Sequence, residues 1–293
     1  MNASAQGITV SSLAARLQIS VERLRSAAET ADEQYTRYQR AKAHGGRRLI
    51  SEPRGELKRL QKTLLRRVLQ GVLKERRSRR GDSVMKDALV NASHHRAQQK
   101  VVALDLADAF PSTKARHVVR ALEQSGFSQR AAHLVSKLCL DHGRLPQGAP
   151  TSNALLDLVL SEFDHDVRRE CKRRGIAYTR YVDNLTLSGA DILAGIERLV
   201  ERKLRQLGYR LNSEKRSAGG IDTPVEITGV VTGTTLKVPA RTYDKARDSV
   251  RRAAQSQDPK LRASARGSFQ WVERVNPRQA AALRRAARDS APR

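Results

Sequence analysis

Aromatic side chains are scarce: four Phe, six Tyr and one Trp make up 4% of the 293 residues. Stacking of bases along a row of rings is therefore not the main binding device of this chain. Cysteine is scarcer. Cys139 and Cys171 are the only two, and neither belongs to a Cys-x-x-Cys pair, which argues against a disulfide framework or a zinc knuckle. No apolar run approaches the roughly 20 residues that span a bilayer. Met1–Gly7 is polar and has no apolar core, so no secretory signal is expected, and a cytoplasmic protein without membrane attachment is the simplest reading. No period of about 20–50 residues repeats, which argues against a solenoid. Negative charge is the largest deficit. Thirty acids stand against 56 Lys and Arg, a formal net charge of +26. That excess goes far beyond what solubility requires and points to a polyanionic partner. The basic residues run along the whole chain, which favours a long nucleic-acid track over a single basic tail. The length suits a sizeable core divided into two or three subdomains.

The stretch that organises the chain is Tyr178–Gly189. Two β-rich runs flank one acidic step, Asp183-Asn184, and the pattern predicts a hairpin with the Asp183 carboxylate at its tip. A carboxylate held there suits a divalent cation, which prefers hard oxygen ligands. A second carboxylate follows the short apolar run Val101–Leu104: Asp105, expected at the end of a buried strand. On adjacent strands, Asp105 and Asp183 would form a pair able to hold two metals for in-line phosphoryl transfer.

In chain order, Val10–Tyr38 is expected to be helical, with Thr9 or Ser11 capping one helix and Ser20 a second. Gly45-Gly46 predicts a turn and Arg47–Ile50 the start of a strand. Glu56–Leu73 has the spacing of an amphipathic helix. The charge cluster Lys74–Arg80 is expected as a solvated basic loop. Ser112 is expected to cap a helix over Thr113–Gln124, and a second helix should run from Ser128 to Leu140. Gly148 within Gly143–Ser152 suggests a bent loop whose main chain can approach a ligand closely. Further helices are expected over Asn153–Arg169 and Asp191–Gly208, a hairpin over Val225–Thr232, and basic helices from Pro239 onward.

Asp105-Leu-Ala-Asp-Ala-Phe-Pro-Ser112, Leu145-Pro-Gln-Gly-Ala-Pro-Thr-Ser152 and Tyr181-Val-Asp-Asn184 resemble successive motifs of a reverse transcriptase, in the right order. Asn91-Ala-Ser-His-His95, just before the Asp105 strand, resembles the Asn-Ala-x-x-His signature of retron-type enzymes. Thr228-Gly229 falls where these carry Val-Thr-Gly, with Ile227 in place of Val. The resemblance runs from about Val10 to about Arg285. It implies an α+β right-hand polymerase fold with fingers, a palm of antiparallel sheet backed by helices, and a helical thumb. The expected divisions are 1–42 as an N-terminal helical segment, 43–100 as fingers with a retron-type insertion, 101–235 as palm (113–145 contributing to the fingers) and 236–293 as a basic thumb.

The resemblance also implies roles. Asp105, Asp183 and Asn184 would be catalytic and hold the metal, Mg²⁺ in a two-metal scheme with Mn²⁺ as an alternative. Lys215, in an Asn-x-x-Lys pattern with Asn212, would protonate or neutralise the departing pyrophosphate. Arg48, Phe110 and Gln147 would bind the incoming dNTP, Phe110 by clashing with a ribose 2′-OH. Asn91, His95, Thr228 and Gly229 would recognise RNA. The implied activity is RNA-directed DNA synthesis on a structured cognate noncoding RNA, giving single-stranded DNA that stays RNA-linked, in antiphage defence with a partner effector. One departure stands out. The family ends its central motif in Asp-Asp, and here the second residue is Asn184, which keeps an oxygen ligand but loses a negative charge. The alternative reading is a weakened or inactive protein of this fold that holds RNA or RNA–DNA as a scaffold or antitoxin for an effector.

Overall fold

The structure, a computed structural model, describes residues 7–41, 45–81, 84–190 and 193–288. Helices α1 (Val10–Leu17) and α2 (Val21–Glu29) lead through a short 3-10 turn into the hairpin of β1 (Tyr35–Ala41) and β2 (Arg47–Pro53). Next come α3 (Gly55–Leu64), a π-helical turn over Leu65–Leu69, α4 (Gln70–Arg80) and α5 (Ala88–Ser93). Strand β3 (Lys100–Ala107) is followed by α6 (Ala109–Ser112), α7 (Ala115–Glu123), α8 (Gln129–Cys139) and α9 (Ser152–Arg173). After the hairpin of β4 (Ala177–Tyr181) and β5 (Asn184–Gly189) come α10 (Ala194–Gln206), β6 (Arg210–Leu211), β7 (Ser217–Gly219) and a second small hairpin, β8 (Val225–Ile227) with β9 (Val230–Thr232). Helices α11 (Ala240–Ala254), α12 (Pro259–Val275) and α13 (Pro277–Arg288) follow. The mixture of helix and antiparallel sheet agrees with the α+β expectation.

These elements form two compact units. The first comprises Met1–Ser83, Leu106–Asp166 and Arg202–Arg210. Its core is helical: α1, α2, α3 and α7 pack around α8, burying Leu13, Leu24, Leu57, Leu64, Leu122 and Leu138 completely, each worth roughly 2 kcal/mol relative to exposure. Thr9 and Ser12 cap α1 reciprocally, and Ser20 caps α2 by accepting from the Arg23 amide at 3.1 Å. The buried Gln61 amide donates to the Tyr35 hydroxyl at 2.8 Å and to the Leu138 carbonyl at 2.7 Å, tying α3 to β1 and α8. Cys139 is also sealed in this core.

Several expectations change here. The helix expected to reach Tyr38 stops at Glu29, because Tyr35–Ala41 pairs antiparallel with β2, Tyr35 opposite Pro53 and Ala41 opposite Arg47. Tyr35-Thr36 and Tyr38 are strand formers, and pairing settles the choice. The charge cluster Lys74–Arg80 is helix rather than loop. Arg76 is buried and donates to Ser125 Oγ at 2.8 Å, Ser161 Oγ at 3.1 Å and Glu162 Oε1 at 2.9 Å. Ser112 ends α6 instead of capping a helix. At the start of α7 the Lys114 amide donates to His117 Nδ1 at 3.1 Å. Gly148, at φ 125°, packs closely on β2: a Cβ there would lie 3.0 Å from Ile50 Cγ2 and 3.1 Å from the Ser51 carbonyl oxygen.

The second unit comprises Val84–Asp105, Val167–Glu201 and Leu211–Arg293. It carries the five-stranded sheet, in the order β4-β5-β3-β6 with β7 also on β3. Helices α11, α12 and α13 pack on one another, and Val272, Val275 and Leu283 join Val101, Ile227 and Val230 in one apolar cluster. Cys171 is buried here. The helix expected over 191–208 is described from Ala194. Asp191 and Ile192 lie outside the described residues, as does His44 of the loop before β2.

Candidate active site

In the second unit, β3 and β5 run antiparallel with Asp105 opposite Asn184, while Tyr181 pairs with Asn184 across the β4–β5 hairpin. That register leaves Val182-Asp183 as a two-residue turn, so Asp183 stands at the tip as expected from its flanking sequence. Val182 has φ 57°. This left-handed backbone costs a β-branched residue roughly 1–3 kcal/mol. The offset comes from inside the sheet: Arg180, fully buried, donates from Nη1 to the Val182 carbonyl at 2.7 Å. The Arg180 carbonyl accepts from the Met85 amide at 2.7 Å, so the segment at Val84–Met85 covers the outer edge of β4.

Around the tip, the Asp105 backbone carbonyl accepts from the Asn212 amide at 2.8 Å, and Lys215 Nζ lies 2.9 Å from Asp105 Oδ1. Asn184 Nδ2 donates to Asp183 Oδ1 at 3.1 Å, an orientation that turns the Asn184 carbonyl oxygen away from Asp183. Asp105, Asp183, Asn184 and Lys215 thus gather around one end of the β3–β5 pair. Their donor set is the two carboxylates and one amide oxygen, hard ligands that fit a divalent cation. The other group of suitable ligands among the described residues, Asp32, Asp141 and His142 in the first unit, is accounted for differently. Asp141 accepts a forked pair of bonds from Arg37 at 2.5 and 3.1 Å. Burial raises the pKa of Asp141 and the bonds from Arg37 lower it, with a net result below the usual carboxylate value.

Behind the hairpin lies a closed polar network. Asn91 and His95 are both fully buried. His95 meets Ser188 Oγ through Nδ1 and Thr179 Oγ1 through Nε2, each at 2.7 Å, and Thr179 Oγ1 donates to Asn91 Oδ1 at 2.7 Å. Because the Thr179 proton goes to Asn91, His95 must donate through Nε2, and its Nδ1 accepts from Ser188. Asn91 Nδ2 reaches Thr228 Oγ1 at 3.4 Å, and Thr228 donates to the Ala88 carbonyl at 3.0 Å. Burial, followed by the neighbouring His94, lowers the His95 pKa to about 3, so the ring is neutral at working pH. Asn91 and His95, expected to recognise RNA, are thus placed in the interior. They are spent on the interior, where they join α5, β4, β5 and the β8–β9 turn.

In the first unit, Arg48 and Gln147 line one cavity of about 440 Å³, together with Asp108, Pro111 and Arg144. The Ser51 amide donates to the Gln147 carbonyl at 2.9 Å and holds the two segments together. Three arginines of the lining have acceptors: Arg37 has Asp141, Arg47 has Gln39 Oε1 at 3.0 Å, and Arg144 has the Pro111 carbonyl at 2.9 Å. Arg48 has none among the described residues, and Gln147 Oε1 is buried without a partner. An open guanidinium and an orphaned acceptor in one concavity are what a ligand carrying both phosphate and N–H groups would satisfy. Phe110 sits half-buried on α6, one residue before the cavity-lining Pro111. Gly229, with φ 82°, occupies the β8–β9 turn beside Thr228.

Arg180, Ser188 and Thr179 were not singled out from the sequence. The available signal was a charged residue inside a β-prone run, at the position that alternation assigns to the interior with Tyr178.

An antiparallel sheet carrying these acids, preceded and followed by motifs in this order, points to one family of known proteins. The chain belongs to the reverse transcriptase (RNA-dependent DNA polymerase) family, whose model matches residues 40–232. Within it, the chain is 32% identical over 222 residues to the Retron Ec86 reverse transcriptase of Escherichia coli, covering 73% of this chain and 68% of that one. It is 30% identical over 272 residues to the Retron Mx65 reverse transcriptase of Myxococcus xanthus, covering 86% of this chain and 64% of that enzyme's length. Among solved structures, telomerase from Candida albicans aligns with a TM-score of 0.54 at 12% identity, covering 86% of this chain and 56% of that one. The match speaks to a shared fold.

Proposed function

We propose that the chain is an RNA-directed DNA polymerase of retron type, which copies part of a structured cognate noncoding RNA into RNA-linked single-stranded DNA. The observation that carries this reading is the register placing Asp105 opposite Asn184 with Asp183 at the adjoining turn. Asp105, Asp183 and Asn184 would hold divalent cations, Mg²⁺ in the first instance, which supply charge stabilisation on the transferring phosphoryl group. Lys215, already at the Asp105 carboxylate, would carry a proton toward the leaving pyrophosphate. Arg48 would take the triphosphate, Gln147 the base or template, and Phe110 would exclude a ribose 2′-OH. The fingers, palm and thumb divisions given above, the antiphage role and the effector partner belong to the same proposal. A second reading, a scaffold that holds RNA without synthesis, draws on Asn184 alone.

Primer extension on the cognate RNA with dNTPs, in Mg²⁺ and in Mn²⁺, tests both readings. Asp183→Ala should lower the rate on the order of a thousandfold or more, since it removes a carboxylate that would hold the metal. Asn184→Asp should raise activity in Mg²⁺ more than in Mn²⁺. No synthesis by the wild type with bound cognate RNA in either metal would overturn the polymerase reading in favour of the scaffold.

A further inference from the structure

A second cavity in the first unit, about 460 Å³, is formed by α7, α9 and the chain from Arg205 to Tyr209. None of the residues assigned above lines it. Arg116 and Arg120 lie four apart on α7 and so share one face, and Arg205 adds a third guanidinium to the lining. Arg116 and Arg120 make no ion pair or side-chain hydrogen bond with any described residue, although ion pairs engage many other arginines of this chain. The one acid of the lining, Glu162, already accepts from Arg76 at 2.9 Å. His117 also lines the cavity. Burial first, then Arg116 and Lys114, hold its pKa below the ordinary value, and its Nδ1 already accepts a backbone proton. The positive charge of the site is therefore carried by its guanidinium groups.

The floor is different in character. Ala121, Val159 and Leu207 are apolar, and the His117 and Tyr209 rings lie 5.8 Å apart at 36°. The Tyr209 hydroxyl is fixed on Thr113 Oγ1 at 2.6 Å, so this wall is rigid. Gly208 lies on the rim at φ 83°, a left-handed backbone that favours glycine. A concave site with planar cations at the mouth and an apolar, aromatic-edged floor matches a phosphate that carries a flat base.

We propose that this cavity is a second, non-catalytic nucleotide site that takes a phosphate and its base. The source is a strand of bound RNA or a free nucleotide, and the RNA version rests on the function proposed above.

The test measures anisotropy of a labelled single-stranded RNA across a KCl series for the full-length protein. It compares the wild type with Arg116→Gln/Arg120→Gln and with a control pair, Arg16→Gln/Arg25→Gln, that removes the same charge from α1 and α2. Calorimetry with AMP runs beside it. If the site takes a strand, the slope of log K against log[KCl] should shrink by about 1.4 in the cavity pair, two contacts at about 0.7 each, and hold in the control. If it takes a free nucleotide, AMP heat appears in the wild type and control and vanishes in the cavity pair, with the RNA slope unchanged. An equal loss of slope in both pairs without AMP binding overturns the site, as does a cavity pair that keeps the wild-type slope and wild-type AMP behaviour. Primer extension on the same preparations separates the two proposals. A wild type silent with cognate RNA removes the polymerase reading and leaves the AMP comparison standing.

Discussion

The β4–β5 turn reads Val182-Asp183 and the β8–β9 turn reads Thr228-Gly229, and both put a β-branched residue at positive φ, 57° and 49°. In the second, Gly229 takes the other strained position at φ 82°, and the Thr228 hydroxyl braces the turn against the Ala88 carbonyl and Asn91. The first has no glycine, because the position after Val182 is occupied by the carboxylate. There the brace comes from underneath, from a buried guanidinium on the Val182 carbonyl. A turn that only reverses the chain can use the residue with the easiest backbone. A turn that presents a carboxylate at its tip gives up that ease and recovers the energy from its neighbours.

The comparison breaks most sharply at Arg180. Arg180→Met leaves the Val182 carbonyl without its donor and should cost about 2–3 kcal/mol in denaturant unfolding, with primer extension falling further than stability alone explains. Loss of stability with full activity in the remaining folded protein would show that the turn needs no brace.

Next in size is His95. Its folded pKa of about 3 lies below the ordinary 6.5, so beneath pH 6.5 the unfolded chain takes a proton that the folded chain refuses. Stability is thus complete above about pH 6.5 and falls by up to about 1.4 kcal/mol per unit as the pH drops toward 3. His95→Gln should flatten that slope in urea titrations at pH 7, 6 and 5. An unchanged slope would mean that the ring charges inside the fold.

The two turns also predict opposite signs. Gly229→Ala should destabilise by about 1 kcal/mol from backbone strain, since a Cβ there meets nothing within 4 Å. Val182→Gly should stabilise by somewhat less than about 1 kcal/mol, strain relief being partly cancelled by glycine's greater chain entropy. Paired melting curves decide the matter, and equal signs would remove the contrast.

Much of this could be read from the chain itself. The run Val101–Leu104 ending on Asp105 and the β-prone flanks of Asp183 are short-range patterns, so the strand, the hairpin and its tip were legible. So were the caps Thr9 and Ser20. What the sequence could not supply was direction. Asn91, His95, Arg76 and Arg180 are polar side chains that face inward, and partners 49 to 137 residues away, or a carbonyl on the same turn, make that tolerable. Composition assigns such residues to the surface. The helical expectation fails at Tyr35–Tyr38 for a related reason, since the strand Tyr35–Ala41 exists only opposite Arg47–Pro53. The contact of Lys215 with Asp105 spans 110 residues and depends on the register of the sheet rather than on any local signal.

The two cysteines have a use that nothing in their sequence context suggests. Cys139 lies in the first unit and Cys171 in the second, both sealed, and burial pushes each thiol up to about 12. Thiol reagents attack the thiolate, so neither sulfur should react until its surroundings open. Each unit therefore contains its own natural clock. The labelling rates of Cys139 and Cys171, followed separately by peptide mass, would time the breathing of the two halves of the molecule without any introduced probe.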